Sequence, residues 1–355
     1  MFIRPTVFVV GAGASSDVGL PLGAGLVKII GGKVDIRHED AFRQTHGDPV
    51  IAAAIKLRNE LSTKDAGGAH PYFAPNVYFQ SGGSIAASMS QAISIDNYLH
   101  THSSDVTINW MGKAGIVSSI LEAESKSSMS HSRNRGRMRL DDLEDTWYNV
   151  FFQMLTEGVL REELESIFTN VSFICFNYDR CIEHYLASAI ANYFRITLDG
   201  AQQITSRLQI IHPYGQVGRL PWQSVTGAID FGKAPSADEL IELVGQIKTF
   251  TEQIEEEDVL KRMHSVLSHA KRIVYLGFSY ANINMKLMNI STTQPPGGIK
   301  RVFGTGFNLS LQNVESIKAQ ITSCLPGQHA PLTSVSIANS KAAPFLKDHW
   351  KPIME

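Results

Sequence analysis

Cysteine is scarce in this 355-residue chain, which holds only Cys175, Cys181 and Cys324. Three thiols cannot form the framework of a disulfide-stapled domain, nor a four-thiolate zinc site within one chain. Net charge is nearly absent too. The 32 Lys and Arg against 34 Asp and Glu leave a formal charge of −2, so no whole-molecule field draws the chain to nucleic acid or to an acidic membrane. No apolar run approaches the roughly 18 residues a spanning helix needs, and no membrane association is expected. Met1–Val10 runs into glycines without a small-residue cleavage site, so it does not read as a secretory leader. A soluble, reducing, cytoplasmic setting is the expectation. Internal repeats and long low-complexity tracts are also missing. What remains, 43% hydrophobic and 19% charged, is the composition of a folded globular protein. At roughly 150 residues per domain, the length suits about two units, or one domain carrying an insertion.

The strand signals are short and apolar. Thr6–Val10 is β-branched and aromatic throughout, which suits a strand buried on both faces. It is followed by Gly11–Ala12–Gly13–Ala14–Ser15–Ser16 and a helical stretch to Ile30. Val171–Phe176, Leu208–Ile211, Arg272–Leu276 and a last strand at Arg301–Phe303 repeat the pattern. Helices are expected over about 179–191, 237–270 and 282–290. Strands alternating with helices predict an α/β fold: a Rossmann-like parallel sheet with helices on both faces. Residues 31–165 interrupt that rhythm and read as a mainly helical insertion into a nucleotide-binding core made of 1–30 and 166–355. Within the insertion, helices are expected over 36–62, 106–123 and 141–165, with a Gly- and Pro-rich loop over 63–83. Ser94 is placed to cap a helix beginning at Ile95. The stretch Ser125–Arg139 carries Lys126, Arg133, Arg135, Arg137 and Arg139 and no acid. It reads as a solvated loop or as a contact for an acidic partner. The acidic run Glu255–Asp258 reads as a wet helix face.

Gly11-x-Gly13 between strand and helix is a phosphate-cradling arrangement, because glycine lets the backbone approach a pyrophosphate and a helix N-terminus offers free N–H groups. The third glycine of the dinucleotide fingerprint is replaced by Ser16. An ordinary dehydrogenase would need an acidic residue at a second strand end about 20 residues on. Asp35 lies near that distance but no strand is expected there. The histidines outside His212 show no metal spacing, and no metal site is expected. Cys175 and Cys181 read as small buried hydrophobes.

Four motifs in order carry a resemblance. They are Gly11–Ala12–Gly13–Ala14–Ser15 running to Gly19–Leu20–Pro21, Asn177–Tyr178–Asp179 after a strand, His212–Pro213–Tyr214–Gly215 after another, and Gly277–Phe278–Ser279 after a third. Ser94–Ile95–Asp96 adds a fifth short element. Together they resemble the SIR2-like (sirtuin-related) NADases of bacterial anti-phage defence. The Cys-x-x-Cys pairs of the sirtuin zinc module are missing, which makes deacylation an unlikely activity. The family's histidine stands directly before the glycine; here Tyr214 fills that place and His212 stands two residues earlier.

The resemblance implies a hydrolase with NAD as substrate, cutting the nicotinamide–ribose bond to give nicotinamide and ADP-ribose. It implies Asn177, His212 and Asp179 as catalytic residues. It implies Gly11, Ala12, Gly13, Ser15, Asp17, Pro21, Tyr178, Gly277, Ser279 and Asn282 as NAD-binding, the last standing where many relatives have Asp. It also implies a homo-oligomer, with activity gated by a separate partner such as a HerA-type ATPase or a sensor protein, and nucleic acid engaged only through that partner. Each residue has a plainer reading as well. Asn177 and Asp179 suit a turn and a helix cap, His212 a structural imidazole, and Ser279 a turn. The rival function is a regulatory subunit that binds NAD or ADP-ribose without turning it over.

Overall fold

Val7–Val10 offers water no polar side chain, so it has to be covered on both sides. Its strand, β1 (Thr6–Val10), lies inside a six-stranded sheet in the computed structural model. Residues 2–39, 43–65, 75–130, 138–250, 252, 257–290, 300–325 and 334–355 are described, with side chains 63–65 excepted. The other members of the sheet are β4 (Val171–Cys175), β5 (Gln209–Ile211), β6 (Arg272–Leu276), β7 (Arg301–Thr305) and β8 (Ser334–Ala338). Every pairing is parallel, and the spatial order is β5-β4-β1-β6-β7-β8. Counted along the chain, that is 3-2-1-4-5-6, the doubly wound order of Rossmann-like folds. Its switch point, where ligands of such folds bind, falls between β1 and β6 at the carboxyl ends of the strands.

The alternation of β1 divides the core. Val7 and Val9 face one apolar cluster, Phe8 and Val10 the other. Between β1 and β4 the chain forms α1 (Ala12–Ser15), α2 (Gly23–Val34), α3 (Pro49–Asp65), α4 (Pro75–Ser88), α5 (Ile95–Thr101), α6 (Val106–Lys126) and α7 (Trp147–Thr156). Helices α2 to α6 contribute to the Val7 and Val9 cluster, whereas α7 crosses to the other face. There the rings of Phe8, Phe151 and Phe173 meet at centroid distances of 5.0 to 5.3 Å. Helices α8 (Cys181–Phe194) and α9 (Leu198–Thr205) join them. Helices α10 (Ala237–Val244), α11 (Glu257–His269), α12 (Asn282–Leu287) and α13 (Leu311–Cys324) return to the first face, and α14 (Ala342–Asp348) and α15 (Trp350–Met354) close the second. A fully buried Glu124–Arg180 pair ties α6 to the entry of α8, with the Arg180 backbone N–H and Nε both donating to Glu124 Oε1 at 3.1 Å.

Several elements differ from expectation. Where a helix is expected from residue 36, β2 (Arg37–His38) and β3 (Gln44–His46) pair antiparallel, and α3 begins only at Pro49. Part of the expected loop over 63–83 is helix α4. A Cβ on its Gly82 would lie 2.0 Å from Val34 O, so this glycine serves close helix packing, not a turn. The expected helix over 141–165 is divided: α7 stops before Gly158, whose φ is +71°. The expected helix over 237–270 is not continuous: α10 ends at Val244 with Gly245 as its C-cap, and α11 begins at Glu257. Arg301–Phe303 is not the last strand, because β8 follows it. Ser94 caps α5 as expected, its Oγ accepting from Asn97 N–H. Arg133, Arg135 and Arg137 of the basic stretch, Glu255 and Glu256 of the acidic run, and Gly67, Gly68 and Pro71 of the expected loop lie outside the described residues. Among the described residues no helix is long and apolar enough to cross a membrane, and no cluster of three metal-ligating side chains occurs.

Candidate functional site

The turns after β1 and β6 are packed backbone against backbone. A Cβ on Gly11 would sit 2.7 Å from Gly277 O, one on Gly13 2.8 Å from Gly277 Cα, and one on Gly277 1.9 Å from Ala14 N. Gly277 also has a φ of +55°, which disfavours any other residue. Three amides of the first turn and one of the second are engaged. Gly11 N–H donates to Leu276 O, Gly13 N–H to Gly277 O, and Ala14 N–H to Gly11 O. Gly277 N–H donates to Thr305 Oγ1 at 2.8 Å. The glycines thus lock two turns together, and α1 is only four residues long.

Asp17 faces away from this turn's interior. It accepts from Trp147 N–H at the start of α7, while Trp147 Nε1 donates to Ala14 O at 3.0 Å. Burial raises the Asp17 pKa against that backbone hydrogen bond. Ala12 and Pro21 are half-buried, and Ser279 and Asn282 are exposed. Asn282 Oδ1 accepts from Gln320 Nε2 at 2.8 Å.

Polar side chains gather one strand over, at the ends of β4 and β5. Asn177 Nδ2 donates to Ser15 Oγ at 2.9 Å, and Ser15 Oγ donates to Asp179 Oδ2 at 2.8 Å. Having given its one proton to Asp179, Ser15 accepts from Tyr148 Oη at 3.3 Å. Its hydroxyl is then saturated. Asp179 also caps α8 by accepting from Cys181 N–H at 3.1 Å. Burial raises its pKa, opposed by these two hydrogen bonds. No hydrogen bond from the described residues reaches Asn177 Oδ1. Tyr178 points to the other side, where its hydroxyl donates to the half-buried Asp96 of α5.

His212 leaves the end of β5 and reaches the same residue. Its Nδ1 lies 3.1 Å from Asn177 O, and its Nε2 lies 3.2 Å from Glu183 Oε1 on α8. Both neighbours are acceptors, which fits a ring carrying both protons and paired with the Glu183 carboxylate. Burial lowers the His212 pKa, but Cys175 and Glu183 outweigh it and hold the value well above 6.5. Since burial pushes the Cys175 thiol up, that thiol is neutral and the charge that matters is Glu183's. Glu183 is 3% exposed, and its second oxygen, Oε2, has no partner among the described residues. Tyr214 does not substitute for His212. Its hydroxyl donates to Asn284 Oδ1 at 2.6 Å, away from Asn177.

The fold therefore assembles Ser15, Asn177, Asp179 and His212, while Gly11, Gly13 and Gly277 form an adjoining lock and Asp17, Tyr178, Ser279 and Asn282 serve other contacts. Glu183 and Tyr148 were not among the expected site residues. Glu183 stands one helical turn after Asp179, a spacing that places both near the N-terminus of α8. Nothing in the sequence signals that Tyr148 would meet Ser15. A cavity of about 900 Å³ runs along β5 and touches Glu183 and His212 but none of the glycine-turn residues. Comparisons with protein-family models, curated proteins and solved structures found no match.

Proposed function

We propose that the chain is an NAD+ glycohydrolase of the SIR2-like kind, hydrolysing the nicotinamide–ribose bond to nicotinamide and ADP-ribose. The observation that supports this reading is the contact of His212 Nδ1 with Asn177 O at 3.1 Å, beside a polar cavity that His212 and Glu183 line. Nicotinamide leaves as a neutral molecule, so this bond needs no acid to protonate the leaving group, unlike an ordinary glycoside. The chain's task is to hold the ribose, stabilise the cationic sugar, and place water at the carbon nicotinamide leaves. Asn177 Oδ1 accepts a hydrogen bond from that water. A carboxylate near the sugar offsets its positive charge, which suits Glu183. As the new C–O bond forms, the water proton passes to the Glu183–His212 pair. His212 in its imidazolium form is not a base on its own, so the proton acceptor is the pair.

The test is release of free nicotinamide from NAD by the purified chain, alongside Asn177→Ala and His212→Ala. Release that persists in both variants overturns the reading. An active enzyme would drain NAD from its own cell, so gating by an oligomer or a separate ATPase or sensor belongs to the proposal. A monomer fully active by itself under cell-like conditions would remove that gate. The second reading is a subunit that binds NAD or ADP-ribose without turnover. The saturated Ser15 hydroxyl and the engaged Gly13 amide favour it. NAD binding without nicotinamide release, with any partner present, would select it.

A further inference from the structure

Asp96 is an acid in an apolar setting. It is the second residue of α5, whose Ile95 and Leu99 are buried in the cluster on the Val7 and Val9 face. Burial raises its pKa, opposed by the hydrogen bond from the Tyr178 hydroxyl. Burial also lifts the Tyr178 hydroxyl well above 10, so the phenol keeps its proton and is the donor. A carboxylate is a costly group with which to tether a helix to a core, since apolar contact alone would do it. Tyr178 is held at its other end as well. Its carbonyl accepts from Val217 N–H at 3.0 Å, on the connection that carries His212. The residue before it is Asn177, whose Nδ2 donates to Ser15 and whose carbonyl lies 3.1 Å from His212 Nδ1. The carbonyl that His212 meets therefore belongs to the peptide joining Asn177 to Tyr178.

We propose that Asp96 is a positioning residue: by holding the Tyr178 hydroxyl it fixes the Asn177–Tyr178 peptide, and with it the carbonyl that aims His212. The inference rests on the glycohydrolase reading only for the step that His212 serves. Asp96 lies in the segment between β1 and β4, while the residues it acts through follow β4 and β5. Helix α5 and the site are thus coupled through two hydrogen bonds, Tyr178 to Asp96 and His212 to Asn177. A misplacement of about 1 Å at a reacting group costs on the order of a hundredfold in rate, so this anchor acts without touching substrate. The Asn177 carbonyl also favours the charged ring, because it accepts from Nδ1–H. Loosening that carbonyl lowers the His212 pKa.

The experiment compares Tyr178→Phe, Asp96→Leu, Asp96→Asn and the double variant Tyr178→Phe with Asp96→Leu, all in the full chain. Two quantities are read. One is steady-state nicotinamide release from NAD; the other is the His212 titration midpoint by NMR, assigned by its loss in His212→Asn. Tyr178→Phe is expected to lower kcat about ten- to hundredfold with KM within about twofold of wild type. Its His212 midpoint is expected to fall by about half a unit or more. Asp96→Asn keeps an acceptor for the Tyr178 hydroxyl and should stay within about threefold of wild type, whereas Asp96→Leu should match Tyr178→Phe. The double variant leaves no carboxylate buried without its donor, and should lose no more than Tyr178→Phe alone. An unmoved His212 midpoint in folded Tyr178→Phe, or in the double variant, overturns the inference whatever the rate. So does an Asp96→Asn loss equal to that of Asp96→Leu, which would make the charge itself the requirement. If the wild-type chain releases no nicotinamide with any activating partner present, the glycohydrolase reading falls. The midpoint then decides the positioning by itself: a fall in Tyr178→Phe upholds it, and no change overturns it.

Discussion

At the carboxyl end of the sheet, two neighbouring pairs of strand ends are built in contrary ways. After β1 and β6 the chain makes tight glycine turns whose amides bond to one another and whose approach is too close for any Cβ. After β4 and β5 it presents Asn177, Asp179 and His212, of which His212 and its partner Glu183 line a cavity. The same end of one sheet thus holds a closed, backbone-locked half and an open, side-chain-lined half. Glycines in a strand–turn–helix are commonly taken as room left for a ligand. Here the room is taken by another turn, and the polar atoms with spare capacity lie one strand away.

Activity should divide along that line. Asn177→Ala and His212→Ala on the open half are expected to cut nicotinamide release by about 10²- to 10⁴-fold, measured as initial rates. A loss below about threefold in both would place the chemistry elsewhere. The next largest effect concerns what supports the open half. Glu124→Gln leaves Arg180 charged and buried with a weakened partner, and should cost about 3–5 kcal/mol in denaturant unfolding. On the closed half, one methyl should suffice: Gly277→Ala meets Ala14 N and an unfavourable φ, and is expected to lose about 2–3 kcal/mol. Unaltered stability there would show that the two turns separate readily.

A pH series sharpens the contrast further. His212 has a folded pKa held above its ordinary 6.5, so its charged form stabilises the native state. That contribution is full below pH 6.5 and is lost as pH rises through the folded value. The stability gap between wild type and His212→Asn should therefore narrow from acid to alkaline pH, followed by unfolding midpoints. A gap that widens with pH would contradict the imidazolium–carboxylate pair. The smallest effect is Ser94→Ala, which removes the cap of the helix that delivers Asp96 to Tyr178. It should cost about 1 kcal/mol by thermal unfolding.

Much of the central sheet was legible because β1, β4 and β6 are covered on both faces, so their residues form near-continuous apolar runs, broken only by Thr6, Ser172 and Arg272. Strand β8 escaped notice for the converse reason. Ser334–Val335–Ser336–Ile337–Ala338 alternates serine with apolar residues at a sheet edge and is only partly buried. Gly82 misled in another way, since a glycine needed for helix-to-helix contact looks in sequence like one needed for a turn. Within the site, Asn177 and Asp179 stood out by following a buried strand closely. Glu183 and Tyr148 depend on α8 and α7 docking beside the turn of Ser15, a tertiary event with no local pattern.

Strand β1 is also the first piece of the sheet to be synthesised, and both strands that flank it come much later, beginning at Val171 and Arg272. At roughly 5–20 residues per second, its apolar segment waits on the order of ten to thirty seconds for its first neighbour. A ribosome carrying only the first half of this protein holds an orphan hydrophobic ribbon that invites chaperone cover. Nor can the polar corner assemble early: a nascent chain stalled before His212 lacks the imidazole that meets Asn177 O and Glu183 Oε1.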